Sequence, residues 1–274
     1  MTNLFKLINS ECQFSEELIN YGITQLRKAD LQRKGLYYQA FANLSMGFER
    51  LLKLIIILDN YHTNNELFTQ NQLRKLGHDL SHLYEQSIAI GNKHKIEKQY
   101  SENNDIYDKI MTVLSDFANT GNDNRYFNLN YISEVNLPGF VLPKDATYKW
   151  HEQIDGYIYE NKVSPRHKTK IEQQSIMLGT LLDTYAMLAF NSETNNDVNN
   201  GIDFCLNKNR QLACQPYRVL FVAQIVRYLS KILSKLAYKL RSTDNQNIPC
   251  LNEYFVIYQY NDNSYLLRKR NFIK

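Results

Sequence analysis

The stretch LYYQAFANLSMGFERLLKLIIIL, residues 36–58, followed by QLRKLGHDLSHLYEQ, residues 72–86, decides the fold. Phe41, Leu44, Phe48, Leu51, Ile55 and Leu58 recur every three or four residues, the period at which an α-helix buries one face. From Leu51 onward the segment is apolar on nearly all sides, so its second half belongs at the centre of a bundle. Glu49 and Lys53 stand four residues apart in the favourable order, which predicts an ion pair along the helix. Glu49 and Arg50 also read as ion-pairing groups that orient neighbouring helices, with Asp79 and Arg125 as partners of matching charge.

Outward from this stretch the chain reads as further helices. Ser15 followed by Glu16 and Glu17 predicts a helix start, with the first helix reaching about residue 31. The Asn- and Thr-rich residues 60–71 form a loop, a third helix covers 72–90 and stops at Gly91, and a fourth covers 105–118. These make an up-and-down bundle over residues 1–135, with Pro138, Gly139 and Pro143 marking the boundary. Residues 136–274 form a helical C-terminal region: a helix over 170–190, an Asn-rich loop over 191–200, and a long helix over 216–241 that starts on Pro216. Segments 253–260 and 264–270 predict a terminal β-hairpin. The fold class is therefore mostly α, with a small β appendage.

Composition sets the limits. At 274 residues and 43% hydrophobic, the chain can fill one large core or two smaller ones. The formal charge of +4 permits an acidic partner without demanding one. Cys12, Cys205, Cys214 and Cys250 have no paired or metal-ligand spacing, which excludes a disulfide framework and points to a reducing cytoplasm. The N-terminus lacks the pattern of a signal peptide, and the longest apolar run is far too short to cross a bilayer, so no membrane association is expected. No complete cofactor motif occurs, and none is expected to be bound.

Two constellations carry chemistry. On a continuous helix over 72–90, Leu73, Leu76, Leu80 and Leu83 face the core, while Arg74, His78, His82 and Glu85 share the opposite side. Two imidazoles and a guanidinium supply the base, acid and phosphate-holding cation that 2′-hydroxyl attack on an RNA phosphodiester requires, and Glu49 can orient a histidine. The same residues also read as His78-Asp79-x-x-His82, a relative of the zinc-binding H-E-x-x-H with Glu85 or Glu102 as third ligand. Asp79 is too short to reach a metal-bound water well, and no metal is assigned. On the long helix, Arg227, Lys231, Lys235 and Lys239 repeat every four residues opposite Val222, Ile225, Val226, Leu229, Ile232, Leu233 and Leu236. That line suits the phosphates of a nucleic acid, with Arg125 as an additional contact; a merely solvated face is the competing reading.

GFERLLKL followed by KLGHDLSHL, within a four-helix arrangement over about residues 15–135, resembles the HEPN superfamily of prokaryotic helical domains. The resemblance implies a dimeric, metal-independent ribonuclease or an inert RNA-binding module of toxin or phage-defence systems, with a partner protein from the same operon. The family's signature is an Arg followed after four to six residues by a His. Here three residues separate Arg74 from His78 and seven separate it from His82. The expected function is an RNA-directed module with His78, His82, Arg74 and Glu49 as catalytic residues. The alternative is a non-catalytic scaffold that uses the same bundle to dimerise.

Overall fold

The computed structural model describes residues 1–98, 100, 104–119, 125–243, 247–260 and 262–273. Helix α1 (Asn3–Leu26) begins at Thr2, whose hydroxyl accepts from the Phe5 amide at 3.2 Å, well before the expected start at Ser15. Ile8, Cys12, Ile19, Ile23 and Leu26 carry one buried face along the whole length. Ser15 lies inside the helix and donates to the Glu11 carbonyl at 2.8 Å, the usual outlet for a hydroxyl in that position. Helix α2 (Gly35–Asn64) packs along α1, and Gly47 permits the approach: a Cβ there would lie 2.8 Å from Ile19 Cγ1. As the sequence predicts, its second half is enclosed, with Leu51, Leu52, Leu54, Ile55, Ile56 and Leu58 all buried.

The expected third helix is broken. Residues 70–93 form α3 (Gln70–Lys75) and α4 (Leu80–Lys93), separated by Gly77 at φ +67°, a conformation that glycine adopts without strain. Asp79 then restarts the chain as an N-cap, accepting from the amides of Ser81 at 2.9 Å and His82 at 3.3 Å. Ser115 of α5 (Asn104–Ala118) fastens this joint, donating to Asp79 and accepting from the Leu80 amide, each at 3.0 Å. Ile106, Ile110, Val113, Leu114 and Phe117 form the buried face of α5, as expected.

The second half is also mainly helical. α6 (Phe127–Ile132) is followed by α7 (Ala146–Trp150), a π-helical turn (His151–Asp155), α8 (Gly156–Lys162) and α9 (Pro165–Tyr185). The helix expected to reach residue 190 ends at Tyr185, and strands β1 (Phe190–Asn191) and β2 (Asp197–Val198) form an antiparallel hairpin that spans the end of that expected helix and the expected loop. Helix α10 (Gly201–Thr243) carries Pro216 in its interior, so the expected start at that residue is corrected: burial of side chains on both sides of Pro216 outweighs one lost backbone bond.

The chain end corrects a further expectation. In place of a terminal β-hairpin it forms a short 3₁₀ turn (Leu251–Glu253), α11 (Val256–Gln259) and α12 (Asn263–Arg268). The carboxylate of Asp262 caps α12 by accepting from the amides of Ser264 and Tyr265, and Tyr258 stacks on Phe272 at 5.8 Å inside the core. Tyr254, Phe255 and Tyr258 instead anchor these turns to α1: the Tyr254 hydroxyl donates to Asn9, the Phe255 amide to Glu16 and the Tyr258 hydroxyl to Asn20, while Tyr260 is exposed.

One cluster of buried side chains draws on α1, α2, α4, α5, α7 and α10, so the core crosses residue 135. The joint between α1 and α2 is tied to α10 by polar contacts: Arg218 and Gln215 donate to the Ala29 carbonyl at 3.0 and 3.1 Å, and the Leu31 amide donates to Gln211 at 2.6 Å. Among the described residues, no helix is long and apolar enough to cross a membrane.

Candidate functional site

The break at Gly77 turns His78 back toward α2. His78 Nδ1 lies 2.8 Å from Glu49 Oε1, and Lys53 Nζ donates to the same oxygen at 2.7 Å. The predicted pair along α2 therefore exists and gains a histidine. Only a fifth of the Glu49 and Lys53 side chains is exposed, whereas 74% of the His78 side chain is open to solvent. Glu49 thus holds one face of the imidazole and leaves the remainder of the ring accessible.

Two cavities meet at this pair. One, of about 390 Å³, is lined by Ser45, Met46, Glu49, His78, Phe117 and Arg125. The other, of about 440 Å³, is lined by Glu11, Glu49, Arg50, Lys53, Leu73 and His78. Met46, Glu49 and His78 form the wall common to both. Arg125 stands on one side, with its guanidinium 5.4 Å from the Tyr126 ring centroid, and Lys53 and Arg50 on the other. Arg50 is held by Glu11 of α1 at 2.8 Å and lies 4.6 Å over the Phe14 ring, so its partner is neither Asp79 nor Arg125.

The four residues expected on one helical face do not meet. Arg74 lies on the exposed side of α3, outside both cavities. His82 is one turn into α4, with its Nε2 2.7 Å from the Gln86 side chain. The shared face required an unbroken helix, and Gly77 with the Asp79 cap removes that condition. The zinc reading fails for the same reason, because Asp79 is committed to the cap and His78 and His82 are not one turn apart on a helix. Glu102, its proposed third ligand, lies outside the described residues. No cluster of metal-ligating side chains occurs among the described residues.

The cationic line on α10 divides. Successive steps of four residues rotate by about 40° around a helix of 3.6 residues per turn, so the ends of a four-member line point about 120° apart. Arg227 is 4% exposed and donates to the carbonyls of Tyr258 at 2.7 Å and Tyr260 at 2.6 Å and to Asn263 at 3.1 Å. It clamps the chain end and is not a surface contact. Lys239 Nζ lies 2.7 Å from His94 Nδ1, whose Nε2 is 2.6 Å from Asp59, a polar bridge between α10, α4 and α2. Lys231 and Lys235 line a surface cavity together with Tyr238.

A second polar cluster gave no local signal in the sequence. Arg218 and Asp155 are 0% and 2% exposed and form a two-pronged pair, with Arg218 Nε donating to Asp155 Oδ1 at 2.6 Å and Nη2 to Oδ2. Burial raises the pKa of the Asp155 carboxyl, but Arg218 and then His151, 3.2 Å away, outweigh it and hold the carboxyl below its ordinary range. Glu193 of the β1–β2 turn is buried, accepts from Gln211 at 2.6 Å and has no hydrogen-bond partner for its other oxygen among the described residues; burial pushes its carboxyl up.

Comparison with family models, curated proteins and solved structures finds no match for this chain.

Proposed function

We propose that this chain is an RNA-directed protein of prokaryotic toxin or phage-defence type, with a HEPN-like bundle and a metal-independent ribonuclease site centred on His78. The supporting observation is the Glu49–His78 pair, whose Glu49 oxygen also accepts from Lys53 and which borders both a cavity lined by Arg125 and a cavity lined by Lys53. A carboxylate accepting from imidazole Nδ1–H fixes the tautomer whose Nε2 carries a free lone pair. That nitrogen takes the proton of a ribose 2′-hydroxyl as the 2′-oxygen bonds to phosphorus. The P–O5′ bond breaks, and the same proton returns to the departing 5′-oxygen. Arg125, which lines the same cavity as His78, neutralises the charge that builds on the phosphoryl oxygens. Glu49 acts through His78 as a positioning residue.

The test is cleavage of a labelled RNA by purified protein, comparing the wild type with His78→Ala, Glu49→Gln and His82→Ala. Activity lost with His78→Ala and retained with His82→Ala supports the reading. RNA left intact by the wild type, or cleaved equally by His78→Ala, overturns it.

One observation favours the scaffold alternative. Met177, Leu181 and Tyr185 stand four residues apart on α9 and are all exposed, an apolar face of the kind that pairs with a second copy. Sedimentation of the wild type against Met177→Glu/Leu181→Glu distinguishes the readings. A dimer broken by the double variant, in a protein that leaves RNA intact, establishes the scaffold.

A further inference from the structure

The cavity on the Lys53 side of the Glu49–His78 pair holds groups that the cleavage chemistry leaves unused. It encloses about 440 Å³ between α1, α2 and α3. Positions 46, 49, 50, 53, 54 and 57 fall on one side of a helix, which is why α2 furnishes the long wall. Glu11 contributes from α1, and Leu73 and His78 close the space. Met46, Leu54, Ile57 and Leu73 make its apolar surface, of the kind that receives the face of a flat ring.

The polar end is an ion pair with capacity to spare. Arg50 Nη1 donates to both oxygens of Glu11, at 2.8 and 3.0 Å, while the guanidinium is steadied over the Phe14 ring. One nitrogen carries the whole contact, so Arg50 Nε and Nη2 make no hydrogen bond among the described residues. A carboxylate has about four lone-pair sites, and Arg50 occupies two of those on Glu11. Neither side chain is buried: 39% of Arg50 and 36% of Glu11 are exposed. The cavity thus presents a fixed carboxylate beside a fixed set of N–H donors.

That order of groups matches one nucleobase. On its pairing edge guanine sets two adjacent donors, N1–H and N2–H, beside the acceptor O6. Adenine and cytosine turn a ring nitrogen lone pair toward a facing carboxylate, and uracil flanks its single donor with two carbonyls. Each of these would hold an acceptor against Glu11, which costs binding.

We propose that this cavity is a guanine subsite, in which Glu11 accepts from N1–H and N2–H, Arg50 donates to O6, and the ring lies against Met46, Leu54 and Leu73. Recognition of the base stands on the Glu11–Arg50 pair alone; that the guanosine belongs to an RNA rests on the function proposed above. In that RNA the guanosine offers its 2′-hydroxyl to His78 and its 3′-phosphate lies on the Arg125 side, so the strand is cut after guanosine.

The experiment compares the whole chain with Glu11→Gln in two measurements: titration calorimetry with guanosine and adenosine 3′-monophosphates, and cleavage of the dinucleotides GpU and ApU. The wild type should bind the guanosine nucleotide about tenfold more tightly and cut GpU about tenfold faster, as one two-pronged base contact supplies. Glu11→Gln should bring both ratios close to one, because an amide offers a single acceptor oxygen. A merely structural role for Glu11 would lower both members of each pair alike and keep the ratios. An ion pair this exposed contributes little to stability, and melting curves verify that the variant is folded. Equal binding of the two nucleotides, or a preference that survives Glu11→Gln, overturns the subsite. A guanosine preference abolished by Glu11→Gln, in a protein that leaves both dinucleotides intact, sustains the subsite and removes the His78 reaction. Cleavage that depends on His78 but treats GpU and ApU alike does the reverse.

Discussion

His78 Nδ1 and Glu49 Oε1 are 2.8 Å apart although 29 residues separate them in the chain, and His78 is otherwise open to solvent. A group so exposed contributes little to stability, so its replacement separates chemistry from folding. His78→Ala should lower RNA cleavage by a factor on the order of 10² to 10⁴, the usual contribution of a positioned acid–base group, with an unchanged melting temperature. Glu49→Gln should reduce the rate less, and His82→Ala and Arg74→Ala should cleave as the wild type does.

Arg227 gives the opposite prediction. Its buried guanidinium satisfies two backbone carbonyls and Asn263, so Arg227→Ala should cost about 2–4 kcal/mol in urea unfolding. Residues 256–268 should become the first site of limited proteolysis. Unchanged stability combined with weaker RNA binding would return Arg227 to the surface line.

Asp155 and Arg218 form a buried ion pair, and removing one partner strands the other charge. Asp155→Asn should destabilise the protein by about 3–5 kcal/mol at neutral pH. Because the folded-state pKa of Asp155 is depressed, its contribution is present above the ordinary carboxylate range and is lost as pH falls through the folded value. Stability measured between neutral and acid pH should therefore decline more steeply in the wild type than in Asp155→Leu/Arg218→Met.

Glu193 runs the other way. Its folded-state pKa is raised by burial, so its contribution is complete below the ordinary carboxylate range and is lost as pH rises through the folded value. Glu193→Gln should be more stable than the wild type at neutral pH, and the difference should vanish in acid. Chemical denaturation at the two pH values checks this.

Gly179 of α9 and Gly201 at the start of α10 touch through their backbones, and a Cβ on either would press into the other chain segment. Gly179→Ala should destabilise by about 2–3 kcal/mol, since backbone yields less readily than a side chain. A melting temperature equal to that of the wild type would refute the contact.

The predominance of helix, the enclosed second half of α2, the Glu49–Lys53 pair and the buried face of α5 were all legible in the sequence, because each rests on residues three or four apart along one helix. The sequence also singled out Glu49 and His78 by residue type. Their meeting depends on the turn at Gly77, and a helical period drawn through that glycine placed His78 with Arg74 and His82 instead. The cationic line on α10 failed over its length for a related reason: a repeat of four drifts around a helix, and what covers each position is decided by distant chain. Tyr258, Tyr260 and Asn263 take the guanidinium of Arg227, and His94 takes Lys239.

By itself, then, the sequence determined what short-range periodicity can encode: which segments coil, which faces are apolar and which residues are able to move protons or hold phosphate. Tertiary structure alone decided which of those residues share a cleft, where the chain end folds back, and that Asp155 meets Arg218 across 63 positions. Such pairings are set by how packed helices bring remote backbone together, and no local pattern records that.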